Sequence, residues 1–577
     1  MAGDPTYILG IHDGHNAGAT LTRDGEVVAS VSEERLTRRK NEVGYPAGAI
    51  REVFRIGGIG AGDLAEVAYA SLFMHSPRHL IDLRPWYRVG LAEQRADRDR
   101  PKDYQKNIFD TRRRERIEAV CGDLGIPQAK VGFVEHHLAH LAAAYYTAPG
   151  VASEKPVLGL TCDGAGDGIA GSVSICRGNE IERLAAIDRH ASLGKIYSRV
   201  TMLMGMTPWE DEYKLMGLAP YADPARAERA AEPLRALIGL DKDGLTFVQV
   251  GELSTNYCYE YLLEAFREVR FDVIAGAAQR FTEEMLVDWV RACVKNTGIS
   301  DIVCGGGVFM NVKANMLIAQ MPEVSSMYVM PSAADESLSI GACLHRYYQR
   351  SGALDHSASV FSNLYLGAEF DRREEETALA EHLDGVAAEV REPNDVDRAI
   401  VELITEGQIV ARCRGRMEWG ARALGNRSIL AAADDLGVID RLNRSIKKRD
   451  FWMPFAPSIK VESAARYLDD PKDLKPHFMM MAYPARPEAR PDIAAGSHPH
   501  DHTVRPQVVT AEANPDYHRL LTLFEEKTGR GAVLNTSFNL HGEPIVYSPA
   551  DAIDVFVRSG LTHLALNHFL VSKRPGG

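Results

Sequence analysis

The pattern that most constrains this chain occurs twice. Tyr7-Ile8-Leu9-Gly10-Ile11 is a short apolar run. A polar, glycine-bearing stretch from His12 to Gly18 follows it. Ala19-Thr20-Leu21-Thr22 resumes a strand, Asp24-Gly25 signals a hairpin, and Val27 to Val31 returns. The same order recurs at Val157 to Cys162, Asp163 to Gly168 and Gly171 to Ile175. Two such units, with helical sequence between and after them, predict an α/β fold built on an internal duplication. Asn311 to Ala319 and Ala333 to Arg350 read as helices, the second with Gly341-Ala342 as a small packing surface.

At 577 residues the chain has room for two to roughly four domains. A polar stretch at 351–357 and mixed charge over 365–395 place a boundary there, and a strand-rich region begins at Ile409. With 66 basic and 79 acidic residues the net charge is −13, which offers no general attraction for nucleic acid. Between 411 and 450 the balance reverses to ten basic against five acidic residues, a local bias that fits either an anionic ligand or neutralisation across an interface. Residues 95–116 are also dense in charge and read as a solvated helix or surface insertion. No apolar run approaches the ~18 residues of a membrane span, and the N-terminus lacks a secretory pattern. The eight cysteines form no CxxC motif, and the closest pair is Cys293 and Cys304. A reducing, cytoplasmic setting is expected, with no membrane and no nucleic-acid partner.

His136-His137-Leu138-Ala139-His140 is the strongest metal signal. On a helix, i and i+4 share a face, so His136 and His140 can aim at one cation while His137 points elsewhere. The motif is not HExxH, since position 137 lacks the metalloprotease glutamate. Asp163 and Asp335 are the best further ligands, and each also reads as a turn residue or a helix cap. Two imidazoles with carboxylates suit iron(II), manganese or zinc. The loops holding Gly164, Gly306 and Gly307 offer backbone amides to phosphate, although no P-loop sequence is present. Lys447 and Arg449 form K-x-R, and Ser537 and Asn539 form S-x-N. If each pair lay on a strand, its members would share a face and line one pocket. Two cations, a hydroxyl and an amide match a phosphate or acyl phosphate, with Arg422, Arg427 and Arg505 as additions.

The order of longer motifs is more specific. Ser32-Glu33-Glu34-Arg35-Leu36-Thr37-Arg38, His136 to Tyr146, Lys214-Leu215-Met216-Gly217-Leu218-Ala219 and Gly305 to Asn311 occur in the first half. Arg422 to Ser428, Phe455-Ala456-Pro457-Ser458, Arg505-Pro506-Gln507 and Leu534 to Asn539 with Gly542-Glu543-Pro544-Ile545 follow. In these stretches the chain resembles the NodU/CmcH family of O-carbamoyltransferases over nearly its whole length. The resemblance implies an actin-like (ASKHA) domain over 1–355 and a YrdC-like domain over 356–577. It implies that carbamoyl phosphate and ATP, with Mg2+, form carbamoyl-adenylate at Lys447, Arg449, Ser537 and Asn539. The carbamoyl group would then pass to a hydroxyl of a specialised metabolite such as an antibiotic, sugar or polyketide. The implied metal ligands are His136, His140, Asp163 and Asp335, holding iron(II) or another divalent metal. Asn311, with the glycine loops and the arginines, falls among the implied nucleotide-binding residues. His15 is the implied general base, with His12-Asp13 as the competing alignment.

Two other functions fit parts of the pattern. A threonylcarbamoyl-adenosine enzyme acting on tRNA would use the same two folds but would need a basic surface. An actin-like nucleotide switch would explain the glycine loops but neither the histidine pair nor the K-x-R and S-x-N residues. Segments 72–118 and 195–213 lie outside the matched motifs. Met202, Met204, Met206 and Trp209 there suit either core packing or an acceptor with apolar surface.

Overall fold

The computed structural model describes residues 4–75, 77, 84–100, 104–151, 155–474 and 476–574. The chain divides into two compact units. The first comprises Met1–Glu33 and Asn41–Phe361, the second Glu34–Lys40 and Ser362–Gly577. Part of the Glu-Arg-rich motif near the N-terminus thus belongs to the second unit. Its Arg38 donates to the carbonyls of Ile545 and Pro544 at 2.7 and 2.9 Å.

In the first unit β1 (Tyr7–His12), β2 (Gly18–Arg23), β3 (Glu26–Ser32), β4 (Leu64–Ala70) and β5 (Val131–Val134) form a sheet in the order β3-β2-β1-β4-β5. The loop-and-hairpin sequence makes β1, β2 and β3 antiparallel, while β4 and β5 join in parallel. The second sheet repeats this order. It uses β6 (Val157–Gly166), β7 (Ile169–Arg177) and β8 (Glu180–Asp188) as the antiparallel set. After a short hairpin of β9 (Ile238–Leu240) and β10 (Phe247–Gln249), β11 (Asp301–Gly305) and β12 (Ser326–Val329) add in parallel. Read from its hairpin edge, the order is β8-β7-β6-β11-β12. Two sheets of one topology, each with its crossovers, define the actin-like α/β fold.

The helices His136–Thr147 and Leu338–Ser351 pack against each other, the second lying on the first sheet and the first on β6 and β11 of the second sheet. Gly341 makes their approach feasible, since a Cβ there would meet the Ala139 carbonyl oxygen at 1.8 Å. Ile8, Ala68, Val134, Ala139 and Leu338 are buried in that contact. Each large aliphatic side chain contributes about 1.5–3 kcal/mol by leaving water. The charge-dense segment forms the helix Tyr104–Leu124, but it is not wholly solvated. Arg116 is only 1% exposed, which corrects the expectation of a surface insertion.

The second unit has a mixed sheet of eight strands. They are β13 (Ala388–Arg391), β14 (Val410–Cys413), β15 (Arg427–Ala432), β16 (Ala456–Lys460), β19 (Gln507–Val509), β20 (Ala532–Ser537), β21 (His563–Ala565) and β22 (Leu570–Lys573). Their order is β13-β22-β21-β14-β15-β20-β16-β19, and β17 (Tyr483–Pro484) pairs separately with β18 (Thr503–Val504). Helices Val396–Thr405 and Pro515–Thr528 bury Ile400, Ile404, Leu520 and Phe524 over Val410, Leu430 and Val533. Among the described residues no helix is long and apolar enough to cross a membrane.

Candidate functional site

In the first unit four chemical groups converge. His136 opens its helix directly after β5, where the Glu135 carboxylate caps by accepting from His137 and Leu138 amides at 3.2 and 2.8 Å. The i, i+4 spacing then brings the Nε2 atoms of His136 and His140 to 3.1 Å. Asp163 lies where the β6–β7 register breaks between Cys162 and Gly166, which turns its side chain out of the ladder. Its Oδ2 is 3.3 Å from His136 Nε2 and 4.0 Å from His140 Nε2. Asp335, in the single turn that leads into the Leu338–Ser351 helix, places Oδ1 3.4 Å from His140 Nε2 and 3.7 Å from His136 Nε2. One ligand atom from each of the four lies within 4.8 Å of the others.

The residues around this cluster fix the histidines. Ser337 Oγ donates to the Ala334 carbonyl at 2.9 Å, so it must accept from His140 Nδ1 at 3.3 Å. That bond puts the His140 proton on Nδ1 and leaves Nε2 with its lone pair toward the cluster. Ser71 Oγ meets His136 Nδ1 at 2.9 Å, and the Asp167 carboxylate accepts the His136 amide at 2.7 Å. Gly166 is required beside them, because a Cβ there would stand 2.0 Å from the His136 ring. His137 faces away, with Nδ1 on Thr161 Oγ1 at 2.9 Å and Nε2 on the Ile169 carbonyl at 3.1 Å. Burial works against a charged His136, yet the Asp335 and Asp163 carboxylates lift it to about 9. Burial would raise both carboxyls. The His136 hydrogen bond holds Asp163 low, and the charges of His15 and His136 hold Asp335 low. Two carboxylates and two facing imidazoles gathered within 4.8 Å are a donor set that fits a divalent cation.

His12 and His15 border the cluster. His15 Nδ1 lies 3.3 Å from Asp335 Oδ2, and its ring stacks on Trp209 at 4.3 Å between centroids. His12 is almost wholly buried, and burial pushes it down to about 4. Its Nε2 meets the His15 carbonyl at 3.0 Å and lies 3.6 Å from Asp335 Oδ2. The glycine loops surround Asp163: the Gly307 amide donates to its Oδ1 at 3.1 Å, and Gly164 faces open space. Asn311 caps the helix Val312–Gln320 through the Ala314 amide and exchanges two 2.9 Å bonds with Gln279.

The second unit holds the other group. Lys447 and Arg449 are not on a strand, as the i, i+2 reading supposed. Lys447 ends a π-helical turn and Arg449 lies in the loop beyond it, past Lys448 with φ +45°. The wide turn still turns Lys447 inward. Its Nζ donates to Ser537 Oγ at 3.1 Å, to Asn539 Oδ1 at 2.8 Å and to the Ser537 carbonyl. Burial, and then the charge of Arg449, lowers the Lys447 ammonium well below its ordinary range. Arg449 donates to Thr536 Oγ1 at 3.1 Å and lies over the Phe455 ring. Arg427 is buried, with Nε on the Tyr547 carbonyl at 2.9 Å and Nη1 on the carbonyls of Arg414, Gly415 and Asn426. Arg422 and Arg505 are half-buried in the loops ahead of β15 and β19.

Sequence reasoning missed Ser71, Arg116 and Asp167. Serine at the end of a strand and aspartate in a glycine turn are too common to single out. The arginine stood in a run of charge that looked like surface.

An actin-like unit that carries a His2Asp2 cluster, joined in one chain to a second α/β unit, defines a two-unit enzyme. The chain belongs to the carbamoyltransferase family: residues 7–344 match the family model for the carbamoyltransferase N-terminus and residues 401–573 that for its C-terminus. It is 31% identical to the uncharacterized protein sll1178 of Synechocystis sp., over 98% of this chain and 97% of that one. It is 30% identical to the nodulation protein NolNO of Sinorhizobium fredii, over 97% of this chain and 79% of that protein. A 3'-hydroxymethylcephem-O-carbamoyltransferase of Streptomyces clavuligerus is 31% identical over 43% of this chain and 44% of its own length.

Proposed function

We propose that this enzyme is an ATP-dependent O-carbamoyltransferase. It takes the carbamoyl group of carbamoyl phosphate through carbamoyl-adenylate to a hydroxyl of a small-molecule acceptor, a specialised metabolite such as an antibiotic, sugar or polyketide. The observation that carries this reading is the convergence of His136, His140, Asp163 and Asp335 beside His15, in a member of the carbamoyltransferase family.

Adenylate formation is assigned to the second unit, read as YrdC-like. Lys447 and Arg449 face the anionic substrates there, and Ser537 and Asn539 hold the ammonium in place. Arg422 and Arg505 add cationic donors, while Arg427 braces the loop whose carbonyls it ties together. Adenylation gives carbamate a good leaving group, and exclusion of water protects the product.

Transfer is assigned to the first unit. His136, His140, Asp163 and Asp335 would hold a divalent metal, iron(II) in the leading version, which when bound polarises the carbamoyl carbonyl as a Lewis acid. His15 accepts the acceptor's proton. With Nδ1–H directed at Asp335, the lone pair resides on Nε2 of a ring that is 21% exposed. His12 is less suited. Its Nε2 faces a carbonyl and so carries the proton, while its Nδ1 is buried. The loops of Gly164, Gly306 and Gly307 around Asp163, with Asn311, are assigned to the nucleotide, whose phosphates their backbone amides would meet.

The test is mass spectrometry of a panel of hydroxyl compounds incubated with enzyme, ATP and carbamoyl phosphate. A carbamoyl mass gain that needs both co-substrates is the expected result. Gain without ATP, or none with any acceptor, would reject the reading.

A further inference from the structure

We propose that an aromatic wall in the first unit, running from Trp209 through Tyr87 and Trp86 to Phe73, is the acceptor subsite. It takes a neutral or anionic hydroxyl compound that presents an apolar ring face. The inference rests on the function proposed above and names the class of its acceptor.

Trp209 is the inner end. It stacks on His15 with the planes 15° apart. Its backbone is left-handed, φ +69°, an unfavourable setting for a bulky side chain that persists only where surroundings enforce it. Those surroundings are visible. The Trp209 amide donates to Glu212 at 2.8 Å, and Ser198 Oγ holds the same carboxylate at 2.8 Å. Tyr87 stands edge-on to Trp209 at 6.2 Å. The fold thus spends backbone strain to keep an indole against the proposed base.

The outer end is exposed. Trp86 precedes Tyr87 in the helix Arg84–Tyr87 and is 41% exposed. It meets His75 at 4.8 Å, His75 meets Phe109 at 5.6 Å, and Phe109 meets Phe73 at 4.9 Å. Phe73 is 42% exposed, yet its amide is fixed by Asp167, the carboxylate that also takes the His136 amide. Both ends of the row are therefore tied to the reaction centre, one at the His15 ring and one through the backbone of a metal-cluster histidine. Exposed aromatic surface tied in this way to a reaction centre marks a ligand site, and such faces stack on sugar and planar rings. Charge selects the class further. The described stretches 84–100 and 106–118 carry ten basic and six acidic side chains, an excess that disfavours a polycationic acceptor.

The experiment uses the full-length enzyme and three probes: 4-nitrophenyl β-glucoside, methyl β-glucoside and the aminoglycoside kanamycin. Binding is measured by titration calorimetry without co-substrates. The nitrophenyl compound should bind about fivefold or more tighter than methyl glucoside, the size of one added stacking contact. Trp86→Ala, an exposed position, should erase most of that preference, and kanamycin should bind weakest. Equal binding of the two glucosides, an unchanged preference in Trp86→Ala, tighter kanamycin binding, or no binding of the nitrophenyl compound would overturn the proposal. The preference without carbamoyl transfer to any acceptor would instead reject the function and leave the subsite standing. Transfer without the preference would do the reverse.

Discussion

Asp13 and Arg116 form an ion pair at 3.1 Å with both side chains almost entirely buried. Asp13 comes from the first glycine-bearing loop, and Arg116 comes from the charged helix Tyr104–Leu124. Arg112, one turn earlier, holds the other carboxylate oxygen at 3.1 Å. Arg116 also donates to the carbonyls of Ala70 and Ser71 at 2.7 and 2.8 Å, and Ser71 has φ +70°. Ser71 Oγ is the group that meets His136 Nδ1. The helix thus fixes His136 through Arg116, the left-handed Ser71 backbone and the Ser71 hydroxyl.

Arg116→Lys should weaken metal binding. A single ammonium cannot reproduce the planar fork that spans Asp13 and two carbonyls. Loss of an outer-shell partner typically lowers metal affinity about 10–100-fold. Competition with a calibrated chelator reads the affinity directly, and a drop in Tm should accompany it. An unchanged affinity would mean that Ser71 orients His136 without help from Arg116.

The proposed metal ligands make a sharper prediction. His140→Ala removes one of two facing imidazoles and leaves Asp163 and Asp335 crowded around the other. Elemental analysis of protein purified without oxygen should fall from about one metal per chain toward none, as expected when a cluster loses a ligand. Carbamoyl-adenylate formation should persist, because Lys447 and its partners belong to the other unit. Full metal content with full transfer in this variant would remove the assignment.

What was legible in the sequence follows from what local pattern encodes. The strand–loop–hairpin repeat is local, so the antiparallel half of each sheet was readable from Tyr7 and Val157 onward, whereas the parallel strands β4, β5 and β12 were not. His136 and His140 were readable because helix geometry fixes i, i+4. Asp163 and Asp335 were separable from ordinary turn residues only by contacts with His136 and His140, 27 and 195 positions away in sequence. Lys447 and Arg449 show the converse. Lys447 does meet Ser537 and Asn539, but Arg449 donates to Thr536 instead, and the strand geometry used to join the two cations does not occur. Arg116 was illegible for a physical reason: charge density marks a solvated face unless a distant carboxylate arrives to pair it, and Asp13 is 103 residues away.

Lys447→Met should abolish adenylate formation. The side chain keeps its length but loses the ammonium that faces Ser537 Oγ and Asn539 Oδ1. A loss of about 10²–10³ in rate is the ordinary size for one removed electrostatic donor. Pre-formed carbamoyl-adenylate supplied to this variant should still be consumed with acceptor. Loss of both half-reactions, with an unaltered circular dichroism spectrum, would argue for one shared site.

The two loop histidines provide the last prediction. His15 has its Nδ1 toward Asp335, leaves Nε2 as the basic nitrogen, and lies under Trp209 with a fifth of its side chain exposed. His12 packs beneath it, and its Nε2 supports the His15 carbonyl. His15→Asn should therefore keep metal content and adenylate formation but lose about 10²–10⁴ in transfer rate, the usual contribution of a positioned base. His12→Asn should cost less, because its amide can still donate to the His15 carbonyl and preserve the loop. Single-turnover transfer from supplied carbamoyl-adenylate isolates this step from everything in the second unit. Near-normal transfer by the His15 variant, with a severe loss in the His12 variant, would reverse the assignment and make the buried ring the proton acceptor.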